Sequence, residues 1–322
     1  MDLFGTTADG RDVHKISLSN DNLSVSILTW GAVVQDARLS GIDRSLTLGS
    51  EELSDYEGAM RYHGSLIGPI VNRISPARVM IDGMMYELER NQDGRIHIHS
   101  GSDSTLLQVW DVVETSDTSV KLCCKLLDGQ CGLPGNRTIE ATYSIKNQTT
   151  LSLEVTGTTD TATLMNFANH SYWNFDGTDD WLGHQIEVAA DHYLPTTDDF
   201  HPTGEVVDVE GTPLDFRSRT AITPKNPPLD TNFCLSTEPQ PIRRVLTLTG
   251  TTGIGMHVAT DQNGIQVYDG RDAVRPGKTN YEGLAIEAQN WPDAPTHSGF
   301  PSIRVTPEQP YCQHTEWTFF RP

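Results

Sequence analysis

The sequence predicts an all-β fold of mainly antiparallel sheets, and three observations support this class. Val, Ile, Leu and Thr recur in short runs that alternate with polar residues, as expected of strands that bury one face. The 27 glycines and 18 prolines are spread along the chain between these runs, where they favour turns. No segment has the length and helical period that repeated βαβ crossovers require, so we expect neighbouring strands to pair antiparallel.

In the first half of the chain, alternating patterns predict strands within 15–39, which bends at Trp30-Gly31, and over 44–49, 110–114, 120–127, 138–145 and 151–155. Residues 51–60 form the one short helical region. The clearest hairpin spans 79–86, because Asp82-Gly83 favours the positive φ angles of a tight turn between β-rich flanks.

The second half continues in the same way, with strands predicted over 162–168, 184–190, 206–209, 245–248, 256–260, 265–268, 284–289 and 317–320. The strand over 317–320 is expected to close the sheet, and a Pro-rich loop spans 213–228. No break in composition and no linker divides the chain. We therefore expect residues 1–322 to form a single domain, a large antiparallel sandwich.

The segment 283–293 contains the most informative strand. Its apolar residues Leu284, Ile286 and Ala288 alternate with a second set that includes Glu287 and Gln289. A carboxylate embedded in an apolar strand needs partners or a raised pKa, and a group with a shifted pKa suits proton transfer. Glu287 is therefore either a catalytic acid or base or a structural carboxylate that accepts backbone hydrogen bonds.

Composition and charge exclude several classes of partner. The formal net charge is −20, from 43 acidic and 23 basic residues, so nucleic acid and anionic membrane surfaces would be repelled. No signal peptide or apolar span is evident, and the five cysteines lack paired metal-ligand spacing. We expect a soluble cytoplasmic protein, either a monomer or a homodimer, with reduced cysteines.

The densest cluster of polar and aromatic residues is 166–174, and it contains His170. Histidine titrates near neutral pH and can give or take a proton, although most single histidines in β proteins are structural. Asn169, Ser171 and Asn174 surround His170 with hydrogen-bonding groups, while Tyr172 offers a flat face. This environment marks His170 as a candidate acid or base.

Two other kinds of chemistry receive less support. His97 and His99 are alternate strand residues and are expected to share a face, but no third ligand for zinc is evident, so no metal is expected. The sequence contains no Gly-x-Ser-x-Gly elbow, P-loop or dinucleotide motif. The Gly-rich segment 63–73 is an irregular connection that ends at Asn72 and Arg73, and such connections tend to carry binding residues.

Six motifs follow one another over nearly the whole chain: Asn72-Arg73-Ile74, Asp82-Gly83 before Tyr86, His99-Ser-Gly101, Asn169-His-Ser-Tyr-Trp-Asn174, Asp230-Thr-Asn-Phe233 and Glu287-Ala-Gln-Asn-Trp-Pro-Asp293. In these motifs and in their order the chain resembles the aldose 1-epimerase (galactose mutarotase) family. This resemblance implies a galactose mutarotase-like β-supersandwich with its site in an open cleft. It also implies an isomerase that interconverts the α and β anomers of a free aldose such as galactose or glucose.

The resemblance further implies roles for individual residues. Glu287 would be the general base and His170 the general acid. The sugar-binding residues would be Asn72, Arg73, His99, Asp230 and Gln266. General acid and base assistance contributes on the order of 10² to 10⁴ in rate, so ring opening and reclosure are expected to need no cofactor. Trp173 or Trp291 would cover an apolar face of the sugar or else belong to the core.

The sequence departs from the family pattern at Ser100, Thr231 and Asp269, where the family commonly has Gly, His and a small or amide residue. These changes fall in expected sugar-contacting segments and leave the choice of sugar open.

Three other functions are compatible with these residues. A hexose-6-phosphate mutarotase would need a basic pocket, for which Arg271 and Arg275 are the local candidates. A non-catalytic carbohydrate-binding protein would keep the fold without the activity. A glycoside hydrolase would pair Glu287 with Asp230 or Asp293 at a separation of about 5 to 10 Å.

Overall fold

The computed structural model describes residues 1–322, and strands dominate it. Strands in the first half of the chain are β1 (Asp2–Thr6), β2 (Asp12–Ser19), β3 (Leu23–Leu28), β4 (Val34–Leu39), β5 (Leu66–Ile67), β6 (Arg73–Ile74), β7 (Arg78–Ile81), β8 (Met84–Glu87), β9 (His97–Ile98), β10 (Asp111–Thr115), β11 (Ser119–Leu126), β12 (Arg137–Lys146) and β13 (Thr150–Thr159). The single α-helix is α1 (Leu53–Glu57), within the predicted helical region.

Strands in the second half are β14 (Thr163–Leu164), β15 (Ala168–Asn169), β16 (Tyr172–Trp173), β17 (Gln185–Val188), β18 (His192–Leu194), β19 (Val207–Asp208), β20 (Thr220–Ala221), β21 (Asp230–Cys234), β22 (Arg243–Thr249), β23 (Gly255–Thr260), β24 (Gly264–Tyr268), β25 (Leu284–Gln289), β26 (Arg304–Val305) and β27 (Tyr311–Phe320). Short 3-10 turns occur at Gly101–Asp103, Thr105–Leu107, Gln130–Gly132 and Ala294–Thr296. No helix is both long enough and apolar enough to cross a membrane.

Two large antiparallel sheets share one hydrophobic core. The first has nine strands in the order β10-β11-β12-β13-β27-β23-β22-β17-β20, and the second has six in the order β16-β25-β24-β21-β18-β19. A cluster of 49 buried residues joins these two sheets, and it also includes residues of a third, four-stranded sheet in the order β1-β2-β3-β4. Trp173 of the six-stranded sheet, for example, packs on Phe319 of the nine-stranded sheet with ring centroids 5.5 Å apart. The predicted antiparallel pairing is therefore confirmed.

Alternation along β25 separates the core from the functional face. Ile286 belongs to the shared core. It lies in register with Val267 of β24, whereas Glu287 lies opposite Gln266. Directly opposed residues of antiparallel strands share a face, so Glu287 and Gln266 point away from the core. The strand predicted over 284–289 is confirmed.

Several local predictions differ from the structure. The strand predicted over 162–168 is instead two short strands, β14 and β15, which belong to separate sheets. Residues 44–49 form only an isolated bridge, Thr47 to Trp173, because their pairing with the two-residue strand β16 is limited to the hydrogen bonds from Leu48 N–H to the Tyr172 carbonyl and from Asn174 N–H to the Leu46 carbonyl. The predicted closing strand, 317–320, is the end of β27, which lies between β13 and β23 in the middle of its sheet. His97 and His99 do not share a face as predicted, because His99 has a φ of 52° and ends the alternation.

Candidate active site

A cleft of about 370 Å³ opens on the outer face of the six-stranded sheet. Its volume suits a small ligand. Among the residues predicted from sequence, the cleft is lined by Asn72, Arg73, His99, His170, Asp230 and Glu287. These residues come from segments up to 215 positions apart, and the sheet pairings bring them together.

Glu287 lies on the floor of the cleft. It belongs to β25, which is the second strand of the six-stranded sheet. Only 2% of the residue is exposed, and Oε2 has no hydrogen-bond partner. Burial raises the pKa of Glu287 well above its usual value, and the nearby Asp230 carboxyl raises it further. Oε2 of the carboxyl group is therefore free to form a hydrogen bond with a ligand.

His170 lies in the connection between β15 and β16, and its main chain is fixed from both sides. Its N–H donates to the Ser65 carbonyl at 2.9 Å, and its carbonyl accepts from the Gly64 N–H at 3.0 Å. Its Nε2 is 3.5 Å from Oε1 of Glu287, while Nδ1 has no partner. Burial lowers the pKa of His170 to about 4.

Together, Glu287 and His170 form a buried pair that shares one titratable proton. Between the lowered pKa of His170 and the raised pKa of Glu287, the carboxyl is protonated and the imidazole is neutral. Moving that single proton across the pair gives a carboxylate and an imidazolium with no change in total charge. Such a pair can take a proton at one point of a ligand while giving one at another.

Gly64 positions His170 and tolerates no side chain. Its φ is +75°, and a Cβ atom would lie 2.3 Å from the carbonyl oxygen of Val34. Its own carbonyl accepts a 2.7 Å hydrogen bond from the side chain of Asn169, the neighbour of His170.

We expect Gly64→Ala to lower the free energy of unfolding by about 2 kcal/mol or more, because the substitution combines left-handed backbone with a backbone clash. Urea unfolding measures this change. Gly83→Ala is the control, since Gly83 also has positive φ but nothing within 4 Å of its Cβ position. An equal loss in both variants would contradict the role of the clash.

Arg73, Asp230 and Gln266 form a network on a second wall. Oδ2 of Asp230 accepts from Nη1 of Arg73 at 3.3 Å, and Oδ1 accepts from Nε2 of Gln266 at 2.6 Å. Arg73 also donates through Nε to Gln92 at 3.0 Å. Gln266 is buried and is not among the residues that line the cleft, and its Oε1 has no hydrogen-bond partner.

Asn72 fixes the ring of His99. The Asn72 N–H donates to Nδ1 of His99 at 3.1 Å, and the His99 N–H donates to the Asn72 carbonyl at 3.0 Å. Because Nδ1 accepts, a neutral His99 carries its proton on Nε2. Burial lowers the pKa of His99 well below its usual value, so this ring is a neutral hydrogen-bond donor at the cleft.

His97 lies outside the cleft, and its Nδ1 is 2.8 Å from the Glu89 carbonyl oxygen. No group of three or more His, Cys, Asp and Glu side chains is arranged to hold a metal ion.

None of the three residues that depart from the family pattern lines the cleft. The Ser100 hydroxyl bonds the main chain of Ile70 at 2.7 and 3.0 Å. Thr231 lies in register with Val267, on the core side of its sheet. Asp269 is fully buried, and its carboxylate binds Arg271, which does line the cleft.

Sequence reasoning missed several residues that line the cleft. They include Tyr62, His63, Phe200 and Tyr268. His63 is 1% exposed, neither ring nitrogen has a partner, and its ring packs 4.4 Å from that of Tyr172. The position of His63 inside the Gly-rich segment 63–73 was the one available signal.

Neither tryptophan proposed to cover the sugar lines the cleft. Trp173 is part of the shared core, and Trp291 packs edge-on against Phe300 with ring centroids 5.0 Å apart.

The charges of the site bear on two of the rival functions. Arg271 is paired with Asp269 and Arg275 with Glu282, and Arg275 lies outside the cleft, so neither is a free cation for a phosphate group. Asp293 also lies outside the cleft, where its Oδ1 accepts from the Ser75 N–H at 3.2 Å. It is therefore not placed to act with Glu287 on a glycosidic bond.

Comparison with known proteins gives consistent results. The aldose 1-epimerase family model matches residues 14–318. Rat galactose mutarotase is 30% identical, over 99% of this chain and 97% of its own, and the aldose 1-epimerase of Haemophilus influenzae is 28% identical, over 90% of each chain. The crystal structure of an aldose epimerase homologue from C. elegans superposes with a TM-score of 0.88 at 26% identity, covering 96% of this chain and 99% of the other.

These matches confirm the resemblance seen in the motifs, the all-β galactose mutarotase-like fold, and the expectation of a mutarotase, an isomerase that acts on carbohydrates. This chain belongs to the aldose 1-epimerase family.

Proposed function

We propose that Glu287 and His170 interconvert the α and β anomers of a free aldose by general acid and base catalysis. The observation that carries this proposal is the buried pair itself, with Nε2 and Oε1 3.5 Å apart at the floor of an open cleft. Neither group has a competing partner at its remaining acceptor or donor atom.

The reaction follows from where the one proton of the pair resides. Glu287, as the carboxylate, removes the proton of the C1 hydroxyl while His170, as the imidazolium, protonates the ring oxygen. The bond from C1 to the ring oxygen breaks and leaves an open-chain aldehyde. Rotation about the bond from C1 to C2 exposes the other face of the aldehyde. Reclosure with the two groups in exchanged roles returns the proton and yields the other anomer.

Arg73, His99 and Asp230 would bind the remaining hydroxyls of the sugar. Asp230 accepts and His99 donates, while Arg73 holds Asp230 in place with Gln266 behind it. Asn72 would act through the ring of His99. These residues suit a neutral polyol, because they offer both hydrogen-bond donors and acceptors and because the charge of Arg73 is balanced by the Asp230 carboxylate.

We expect the mutarotation rate to show a bell-shaped dependence on pH. Below about pH 4, His170 takes up a second proton and the pair loses its base, so the rate falls as the pH decreases through that value. Above the raised pKa of Glu287, the pair loses its only proton, so the rate falls again as the pH increases. Polarimetry from pH 3 to pH 10, corrected for the uncatalysed reaction, measures both limbs. A rate independent of pH across this range would contradict the one-proton pair.

Polarimetry of freshly dissolved α-galactose, glucose, arabinose, fucose and xylose is the experiment that tests the activity and the choice of sugar together. Acceleration of at least one anomer conversion is expected. Sugar binding with no acceleration would instead support a carbohydrate-binding protein without catalysis.

We further propose a cytoplasmic, carbohydrate-binding protein whose residues 1–322 fold as one domain, as a monomer or homodimer. All five cysteines are free thiols, which suits a reducing compartment. The 49-residue core draws on strands from both ends of the chain, from β2 to β27, which supports a single folding unit.

A further inference from the structure

Hydrogen bonds to the buried Asp269 carboxylate fix the position of Arg271 at the cleft. The buried Asp269 carboxylate accepts from the Arg271 N–H at 3.1 Å, from Nε at 2.9 Å and from Nη2 at 2.8 Å. It also accepts from the Leu229 N–H at 3.1 Å. Nη2 of Arg271 donates again to the Leu229 carbonyl at 3.1 Å, next to Asp230 in the chain. The guanidinium is thereby fixed beside Asp230, and Nη1 makes no hydrogen bond.

Phe200 connects the two arginines of the cleft. The guanidinium carbons of Arg73 and Arg271 each lie 5.6 Å from the centre of its ring. Phe200 as a whole residue is 37% exposed although it lines the cleft. Phe200 therefore holds both guanidinium groups on the Asp230 side of the cleft while leaving that side open to a ligand.

A fully buried carboxylate is costly unless it is paired and hydrogen-bonded, and Asp269 satisfies this condition mainly through Arg271. The pairing also cancels the charge of Arg271, so the group does not attract an anion in particular. The Asp269 carboxylate keeps the planar guanidinium of Arg271 in one orientation. A hydroxyl oxygen of a neutral sugar can accept a hydrogen bond from a single N–H donor fixed in this way.

From this geometry we propose that Arg271 binds a hydroxyl group of the aldose on the Asp230 side of the cleft and helps to decide which sugars are accepted. Asp269 is its positioning residue. The proposal deepens the proposed mutarotase activity and rests on it.

The chain offers a matched control for Arg271. Arg275 lies on the same segment and is also paired with a buried carboxylate, Glu282, but it lies outside the cleft. We expect Arg271→Gln to raise KM and to lower kcat/KM for the preferred sugar by about 10- to 100-fold, as for loss of a charged hydrogen bond. Arg275→Gln is expected to lower Tm while kcat/KM stays within about threefold of wild type. Equal effects of both variants on kcat/KM would overturn the proposal.

Deoxy sugars identify the hydroxyl that Arg271 binds. Wild type should discriminate against the analogue that lacks this hydroxyl, and Arg271→Gln should treat the parent and the analogue nearly alike. Asp269→Asn should weaken this discrimination in part, because the guanidinium is kept but no longer held. If Arg271→Gln discriminates among all the analogues as wild type does, the inference is wrong.

Calorimetric titration with the same sugars measures Kd without any need for catalysis, so the role of Arg271 can be tested independently of the mutarotase activity. If wild type binds sugars but accelerates no anomer conversion, the proposed function fails, and the same comparison of parent and deoxy sugars still tests Arg271 by Kd. Should Arg271→Gln fail to fold, Arg271→Lys supplies a charged replacement without the planar fork, and it is expected to lose the same discrimination.

Discussion

Glu287→Gln is expected to lower kcat for mutarotation by about 10²- to 10⁴-fold, because the amide can neither take nor return the C1 proton. The residual activity should depend on His170 alone as the acid. It should therefore be greatest at low pH and fall as the pH rises through about 4, the pKa to which burial lowers that imidazole. Polarimetry with a preferred sugar at several pH values measures both effects.

The same substitution should leave the fold intact and make it no less stable at neutral pH. The pKa of Glu287 is raised on folding, so the folded state keeps a proton that the unfolded chain releases above its ordinary pKa. Stability is therefore lost as the pH rises from that ordinary value toward the raised one, and Gln removes this loss. A urea midpoint well below that of wild type at pH 7 would contradict this.

Asp293→Asn is the matched control for Glu287→Gln. Asp293 is also buried, and burial raises its pKa to about 7, but it lies outside the cleft. Its replacement should leave kcat within about threefold of wild type. A loss of kcat as large as that of Glu287→Gln would contradict the special role of Glu287 and would indicate that Asp293 takes part in catalysis.

His170→Asn is expected to lower kcat by a similar factor, about 10²- to 10⁴-fold, since no group remains to protonate the ring oxygen. Its residual rate should change with pH in the opposite direction to that of Glu287→Gln. With the carboxylate as the only catalyst, the rate should increase as the pH rises through the raised pKa of Glu287. The same polarimetric series measures this.

His97→Asn is the control for His170→Asn, because His97 is equally buried but bonds the Glu89 carbonyl outside the cleft. It should retain most of the wild-type kcat. If the two catalytic variants showed the same pH dependence, the assignment of acid and base to the two residues would be wrong.

Sequence patterns could predict the floor of the site because it is made by a regular strand. Period-two alternation in 284–289 puts Glu287 on the face opposite Ile286, and this follows from strand geometry alone. The motif around His170 could be recognised because polar and aromatic residues are dense there. Only the family resemblance indicated that these two segments form one site, because no local pattern relates them to each other.

The walls of the site depend on contacts that no local pattern encodes. Phe200 lies in an irregular loop with φ of 63°, and at the cleft Arg73 and Arg271 pack on its ring. The sequence predicts that Gln266 binds the sugar, but it gives no sign that the Gln266 amide donates to Asp230. Loop direction and the choice of side-chain partner are set by tertiary packing, so sequence alone leaves them open.

The central position of β27 constrains how the chain can be assembled in a cell. β27 pairs with β13 on one side and β23 on the other, so the nine-stranded sheet stays split into two parts until residues 311–320 have been synthesised. Until then both parts present unpaired edges, and such edges can join to neighbouring nascent chains. Removal of these ten residues should therefore cause aggregation during expression, whereas loss of a peripheral strand would have a milder effect.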